Sequence, residues 1–261
     1  MALSQSAGAG QGCLSTARSK ARSRAALRAL FCDNASTMLT RADLQSDRLR
    51  RLFSEANPGV RVLTDAELDF SLQTVLQSRP AAQDVWLFGY GSLIWNPIIH
   101  FEERHIAKLH GYHRRFCLWS HVNRGSLHKP GLVLGLDAGG SCRGVVFRIH
   151  AEHAHSELQL LWRREMVLGS YAPRWLKLTA GDHERTAIAF VVRRDHPSYA
   201  GKLPMETLIK TMASAHGYLG TSAEYLHETV RGLLAHGIRD EYLIDIRKRL
   251  VALHPEHAHA R

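Results

Sequence analysis

The sequence predicts an α/β domain of the mixed α+β kind over residues 85–253. Short apolar runs that stop at glycine are typical of buried strands, and such runs begin at Val85. The strands are followed by one inserted helix, more strands and a helical tail. This order lacks the regular βαβ alternation of a doubly wound parallel sheet, which we therefore exclude.

The segment before this domain divides into two parts. Residues 1–37 are rich in Ala, Ser, Gly and Arg and carry five basic residues against one acid. We expect them to be a disordered or non-native extension. Residues 38–84 are predicted to be a helical N-terminal extension, with one helix over 38–56. Thr64 and Glu67 have the spacing of a capping box, which predicts the start of a second helix that ends at Gln77.

The remaining elements follow from apolar periodicity and from glycine positions. A strand covers Val85–Tyr90, and a strand with a bend at Gly111 covers Ile106–Trp119. Asp137-Ala-Gly-Gly140 and Gly181-Asp182 are turn signals between apolar runs, and each predicts a hairpin. The paired strands would be Gly131–Leu136 with Cys142–Ile149, and Trp175–Leu178 with Ala187–Val192.

Two helical regions complete the prediction. The pattern over Ser156–Leu168 predicts a helix that stops at Gly169. After Pro204 the pattern is helical to Leu253, with breaks near 217–220 and at Gly237. Residues 254–261 are expected to form a disordered tail.

Composition excludes several classes of protein. No stretch approaches the roughly 18 consecutive apolar residues of a membrane span. The net charge of +10 is spread over the chain with acids interleaved, whereas nucleic-acid binders concentrate basic residues on one element. The four cysteines form no C-x-x-C pair, and the 17 histidines have no metal-ligand spacing. We therefore expect no metal, no nucleic-acid partner and no membrane association, with free thiols in a reducing cytoplasm.

The first candidate for chemistry is the segment Gly89-Tyr-Gly-Ser92, at the end of the first strand. Its two glycines permit positive φ and close approach of the backbone to a ligand. A nest of free N–H groups there would suit a carboxylate. An ordinary turn at the end of a strand is the alternative, because Gly-x-Gly alone is common.

The second candidate is Glu165. In the predicted helix it shares one face with Leu158, Leu161 and Leu168. A carboxylate on an apolar face is desolvated, which raises its pKa and suits it to act as a base. The alternative is a residue at the edge of this face that pairs with Arg163 or Arg164.

Several ordered motifs resemble the ChaC-type γ-glutamylcyclotransferases in their bacterial form. The resemblance covers about residues 85–253. It is carried by Phe88-Gly-Tyr-Gly-Ser-Leu-Ile-Trp-Asn-Pro97, Gly111-Tyr-His-Arg-Arg-Phe-Cys117, Asn123-Arg-Gly-Ser126 with Lys129-Pro-Gly131, Leu161-Trp-Arg-Arg-Glu-Met166 with Tyr171-x-Pro-Arg-Trp175, and the motifs His196-Pro-Ser-Tyr199 and Gly220-Thr-Ser-Ala-Glu-Tyr-Leu226.

The resemblance implies a γ-glutamylcyclotransferase-like fold, a small mixed β-barrel with surrounding helices. It implies cleavage of glutathione or another γ-glutamyl peptide to 5-oxoproline and the freed amine, without a cofactor. Glu165 matches the family's proton acceptor. The residues that match its substrate loop are Leu87, Phe88, Gly89, Tyr90, Gly91 and Ser92.

Two departures bear on substrate preference. The segment from Met166 to Tyr171 is two residues longer than in the animal enzymes, and Ser222 stands where the family usually has Asn. Two alternatives stay open at this point. One is a cyclotransferase that acts on other γ-glutamyl-amines, and the other is a regulatory binding protein that keeps the fold without catalysis.

Overall fold

The computed structural model describes residues 38–57, 59–79 and 83–253. From Leu39 onward these residues belong to one compact unit. The predictions made for residues 1–37 and 254–261 lie outside the described residues. Within residues 38–57, 59–79 and 83–253, no helix is long and apolar enough to cross a membrane.

Helices and strands follow one another along the chain in an order close to the predicted one. The helices are α1 Arg41–Gln45, α2 Arg48–Ala56, α3 Asp65–Gln77, α4 Ser92–Trp95, α5 Ala151–Glu165, α6 Met205–Ser214, α7 Ser222–Ala235 and α8 Glu241–Leu253. The strands are β1 Val85–Gly89, β2 Glu103–Ser120, β3 Gly131–Ile149, β4 Tyr171–Ala180, β5 His183–Val192, β6 His216–Gly217 and β7 Gly220–Thr221.

The first five strands close into a barrel in the order β1-β3-β2-β4-β5. Most neighbours are antiparallel, and β5 closes the barrel through parallel pairing with β1 and β3. The side chains of Leu87, Phe88 and Phe147 are completely buried among the apolar residues that fill it. The predicted fold class, a small mixed barrel surrounded by helices, is confirmed.

The predicted hairpin around residues 137–140 is wrong. β3 runs without reversal from Gly131 to Ile149 and pairs along its length with β2. The register shifts where Gly111 lies opposite Gly139 and Gly140, all three of which have positive φ. The glycines therefore form a bulge that bends two long strands, because the same residue types serve bulges and tight turns.

The helices of the extension show one difference and one agreement. The predicted single helix over 38–56 is interrupted at Asp47, which has a left-handed φ of 57° and separates α1 from α2. α3 has the predicted bounds and the predicted capping box, in which Thr64 accepts a hydrogen bond from the Glu67 backbone N–H. The β4–β5 hairpin is also confirmed, and its strands extend beyond the predicted ones.

α5 begins five residues earlier than the predicted helix and ends at Glu165 instead of Leu168. Leu158 and Leu161 are buried as predicted. Leu168 lies in the turn that follows, so the helical face extends only as far as Glu165. The carboxylate consequently lies at the C-terminal end of a helix, where the helix dipole disfavours a negative charge.

Candidate active site

Glu165 borders a cavity of about 150 Å³ between the end of β1, the β2–β3 connection and the C-terminal end of α5. A smaller recess shares its lining residues Ser92, Glu165, Tyr171 and Tyr225 with this cavity. Glu165 therefore faces the place where the recess meets the larger space. The barrel positions it indirectly, because buried Leu158 and Leu161 anchor α5 in the core.

The Glu165 carboxylate is poorly solvated and poorly paired. Its side chain is 14% exposed, and Oε1 is buried without a hydrogen-bond partner in the described part of the chain. The Arg164 Nε atom lies 3.0 Å from Oε1, at an angle that does not make a hydrogen bond. Burial raises the pKa of Glu165, and the positive charge of Arg164 lowers it by less. The residue thus faces the cavity, as the first sequence interpretation requires, and it lies beside Arg164, as the alternative requires.

Arg164 connects Glu165 to the loop after β1. Its Nη2 donates to Ser92 Oγ at 2.8 Å, and its Nη1 donates to the Asn96 carbonyl oxygen. The side chain is 8% exposed. Sequence analysis considered Arg164 only as a charge partner. Its role in fixing the loop could not be found from spacing, because Ser92 is 72 residues away in the chain.

Only some of the residues predicted to bind substrate line the recess or the cavity. Tyr90, Gly91 and Ser92 line the recess, and Ser92 also lines the larger cavity. The side chains of Leu87 and Phe88 are buried in the core and line neither space. Gly89 also lines neither space, and its position at the end of β1 places Phe147 Cε2 at 3.0 Å from a Cβ built there.

The positive φ that the two glycines of this loop permit is not adopted. Neither Gly89 nor Gly91 has a left-handed backbone, and Gly91 has φ −136° and ψ −125°. Space at Gly91 is limited instead, since a Cβ there would lie 3.0 Å from Tyr225 Oη. The loop therefore approaches the cavity closely without a left-handed residue at either glycine.

Three phenols surround Glu165: those of Tyr90 and Tyr225 are buried, and that of Tyr171 is partly buried. Tyr90 donates to the Phe190 carbonyl oxygen at 2.9 Å, and Tyr171 donates to the Leu134 carbonyl oxygen at 3.0 Å. Burial raises the pKa of Tyr225 to about 12, with a smaller contribution from Glu165. Burial and Glu165 also raise the pKa of Tyr90 and Tyr171. All three phenols stay protonated near neutral pH and are therefore hydrogen-bond donors.

Arg124 is a cation of the cavity that sequence analysis noted only as part of a motif. The residue is 6% exposed, and its guanidinium lies 5.5 Å from the centre of the Tyr225 ring. Within the described ranges, no carboxylate forms an ion pair with it. Burial lowers the pKa of Arg124, whereas Glu224 and Glu228 raise it by less from beyond ion-pair distance. A buried cation without a paired anion is costly, so this side of the cavity suits an anionic ligand.

The described residues contain no group of three or more His, Cys, Asp or Glu side chains that could hold a metal ion. The cavity and its recess instead bring together one desolvated carboxylate, three neutral phenols and two guanidinium groups. This set can move a proton at the carboxylate while it holds a negatively charged molecule.

Comparison with known families identifies the family of the chain. The family model described as "ChaC-like protein" matches residues 85–252. The chain belongs to the ChaC-like family. The match includes β1, the barrel and α5, and it begins after the helical extension.

Similar proteins carry names that state a reaction. The chain is 41% identical over 177 residues to the Escherichia coli glutathione-specific gamma-glutamylcyclotransferase. This alignment covers 67% of this chain and 77% of the relative. The chain is also 34% identical over 149 residues to the human glutathione-specific gamma-glutamylcyclotransferase 1. That alignment covers 55% of this chain and 67% of the relative. A crystal structure of the yeast cyclotransferase specific to glutathione aligns with a TM-score of 0.61 at 23% identity, over 67% of this chain and 99% of the yeast chain. That structural likeness supports the fold.

Proposed function

We propose that the protein is a γ-glutamylcyclotransferase that cleaves glutathione to 5-oxoproline and Cys-Gly, with Glu165 as its general acid and base. The observation that carries the proposal is the Glu165 carboxylate, whose Oε1 is buried without a hydrogen bond. A binding protein would have no need to keep such a costly group at a cavity. The names of the relatives support glutathione as substrate.

The reaction needs a base because the α-amino group of the substrate is protonated near neutral pH. Glu165 accepts a proton from this ammonium group, and its raised pKa makes the carboxylate a stronger base than an exposed one. The freed amine attacks the γ-carbonyl carbon of the same molecule, which forms the bond that closes the lactam ring. Because the attack is intramolecular, holding the γ-glutamyl chain folded supplies much of the acceleration.

Collapse of the tetrahedral intermediate breaks the bond between the γ-carbonyl carbon and the cysteinyl nitrogen. The α-nitrogen loses two protons in total, and the departing nitrogen gains two to leave as an ammonium group. Glu165 relays these protons, so no water and no redox partner is consumed. No cofactor is needed for these steps.

Other residues of the cavity hold the charges of the substrate. Glutathione carries two carboxylates, and we assign one of them to Arg124, whose buried guanidinium forms no ion pair within the described chain. The Tyr225 phenol stays protonated and is the donor that we assign to the oxyanion of the tetrahedral intermediate. The γ-glutamyl group is held next to Glu165 by the loop residues that line the recess, Tyr90, Gly91 and Ser92.

The reaction also suits a cytoplasmic location, which we propose. The two cysteines of the described chain, Cys117 and Cys142, are buried free thiols, as expected in a reducing compartment. Glutathione is a soluble thiol, so the proposal requires neither a membrane nor a nucleic acid.

The proposal is tested by incubating the purified full chain with glutathione and separating the products by chromatography. Equal amounts of 5-oxoproline and Cys-Gly are expected. A parallel incubation with a γ-glutamyl-amine that lacks the Cys-Gly part tests the leaving group. No 5-oxoproline from either compound would refute the proposal, and release from the amine alone would refute the assignment of glutathione.

A further inference from the structure

Residues that precede the family-matched region contribute to the cavity. Leu39, Leu49 and Phe53 line it together with Glu165 and Arg124. The family model matches only from residue 85, so these three side chains come from outside it. We name them the apolar wall. The N-terminal extension therefore forms part of the site itself.

Hydrogen bonds hold the extension against the elements that carry the reacting groups. Asn96 Nδ2 donates to the Leu39 carbonyl oxygen at 2.9 Å, and Asn96 in turn accepts from Arg164. The Leu63 backbone N–H donates to the Val167 carbonyl oxygen at 2.9 Å. The apolar wall is thus fixed to the loop after β1 and to the turn after α5.

An ion pair fixes the first helix to the helix of Glu165. Arg41 Nη1 and Nη2 lie 2.6 and 2.8 Å from the two carboxylate oxygens of Glu157. The same carboxylate accepts from the His100 backbone N–H at 3.0 Å. A bidentate pair of this kind defines geometry as well as adding energy, so the extension has a defined position relative to α5.

The chemistry of the apolar wall determines which part of a γ-glutamyl peptide can contact it. Apolar side chains cannot satisfy an ammonium group or a carboxylate, and a buried charge without a partner is costly. The charged ends of the substrate belong at Glu165 and Arg124 instead. The part left for the apolar wall is the side chain of the residue joined to the γ-carbonyl group.

We propose that Leu39, Leu49 and Phe53 select this residue by size, so that a thiol-bearing side chain fits and a large aromatic one does not. The inference rests on the proposed function and extends it to the leaving group. In an apolar pocket, one methylene changes selectivity by about 10- to 200-fold. Shortening a large side chain of the apolar wall should therefore widen the range of substrates measurably.

The test uses the full chain with Phe53→Ala and two substrates, glutathione and γ-glutamyl-phenylalanyl-glycine. The measured quantity is the ratio of kcat/KM for the two peptides. We expect the ratio to move at least about tenfold toward the phenylalanyl peptide. Leu49→Ala and the milder Phe53→Leu are expected to move it in the same direction, and they carry the test if Phe53→Ala does not fold.

Leu52→Ala is the matched control. Leu52 and Leu49 are on the same helix and are 5% and 4% exposed, but only Leu49 lines the cavity. Leu49→Ala and Leu52→Ala each remove the same number of buried side-chain atoms from α2. The control should lower stability without moving the kcat/KM ratio, whereas an equal shift in both variants would show a packing effect and overturn the inference.

A binding measurement separates the two proposals. In a Glu165→Gln background, the Kd of each peptide is measured by calorimetry with and without Phe53→Ala. A Kd ratio that moves toward the phenylalanyl peptide supports the apolar wall even when the reaction differs from the proposed one. If the unaltered chain releases 5-oxoproline but Phe53→Ala, Phe53→Leu and Leu49→Ala leave both ratios unchanged, the apolar wall is refuted and the proposed function stands.

Discussion

Replacing Glu165 with Gln should stabilise the fold at neutral pH and leave it unchanged in acid. The carboxylate is 14% exposed, and its one close positive charge is Arg164 Nε at 3.0 Å. Burial raises its pKa in the folded state. A group with a raised folded pKa binds more protons when folded, so the wild-type protein loses stability as pH rises from the ordinary carboxyl range through that raised pKa.

The size of the effect follows from the charge on the buried carboxylate. A buried polar group without a hydrogen bond costs about 1–3 kcal/mol, and a charged one costs more. The amide oxygen of Gln meets the same surroundings, so the substitution relieves only the additional cost of the charge. We expect Glu165→Gln to gain about 1 kcal/mol in unfolding free energy at neutral pH and nothing below the ordinary carboxyl range. Urea unfolding at a series of pH values measures the difference.

Glu157 is the matched control on the same helix. It is 4% exposed, and although burial raises its pKa, hydrogen bonds from Arg41 and His100 lower it more. Glu157→Gln should therefore destabilise the protein above the ordinary carboxyl range, with the opposite sign to Glu165→Gln. A loss of stability in Glu165→Gln at neutral pH would refute the view that its carboxylate is a costly, unpaired group.

Three further variants test the cavity. Arg164→Met removes the charge that lowers the pKa of Glu165, so the acidic limb of the kcat/KM profile should move to higher pH; an unmoved limb would contradict the assignment of Glu165 as the base. Arg124→Met should raise KM for glutathione at least about tenfold, because a buried carboxylate loses its cation, and an unchanged KM would exclude Arg124 from binding. Gly91→Val should impair KM and kcat together, because its Cβ would lie 3.0 Å from Tyr225 Oη; normal kinetics would show that the loop has spare room.

Local signals predicted much of the fold. The Thr64–Glu67 capping box is complete within four residues, so the sequence located the start of α3 correctly. The residues 137–140 gave an equally local signal that was misread. Turns and bulges use the same glycines, and only the pairing of β3 along β2 decides between them. That pairing joins residues far apart in the chain.

In the candidate site, too, the sequence predicted local features but not contacts between residues far apart in the chain. Glu165 was predicted from the helical pattern and from the family resemblance, because both depend on neighbouring residues. The contact of Arg164 with Ser92 spans 72 residues, and Phe53 reaches the cavity from outside the matched region. No sequence spacing identifies such contacts, since folding alone brings them together. The burial of Leu87 and Phe88 likewise follows from barrel closure.

The central claim is that the Glu165 carboxylate carries protons in the cyclisation of glutathione, and the most direct measurement is 5-oxoproline release by Glu165→Gln. Gln keeps the shape of the side chain but has no basic oxygen to accept the ammonium proton. With folding verified by circular dichroism and binding by calorimetry, we expect the rate to fall by about 10²–10⁴-fold. A folded, glutathione-binding Glu165→Gln protein that still releases 5-oxoproline within tenfold of the wild-type rate would contradict the account.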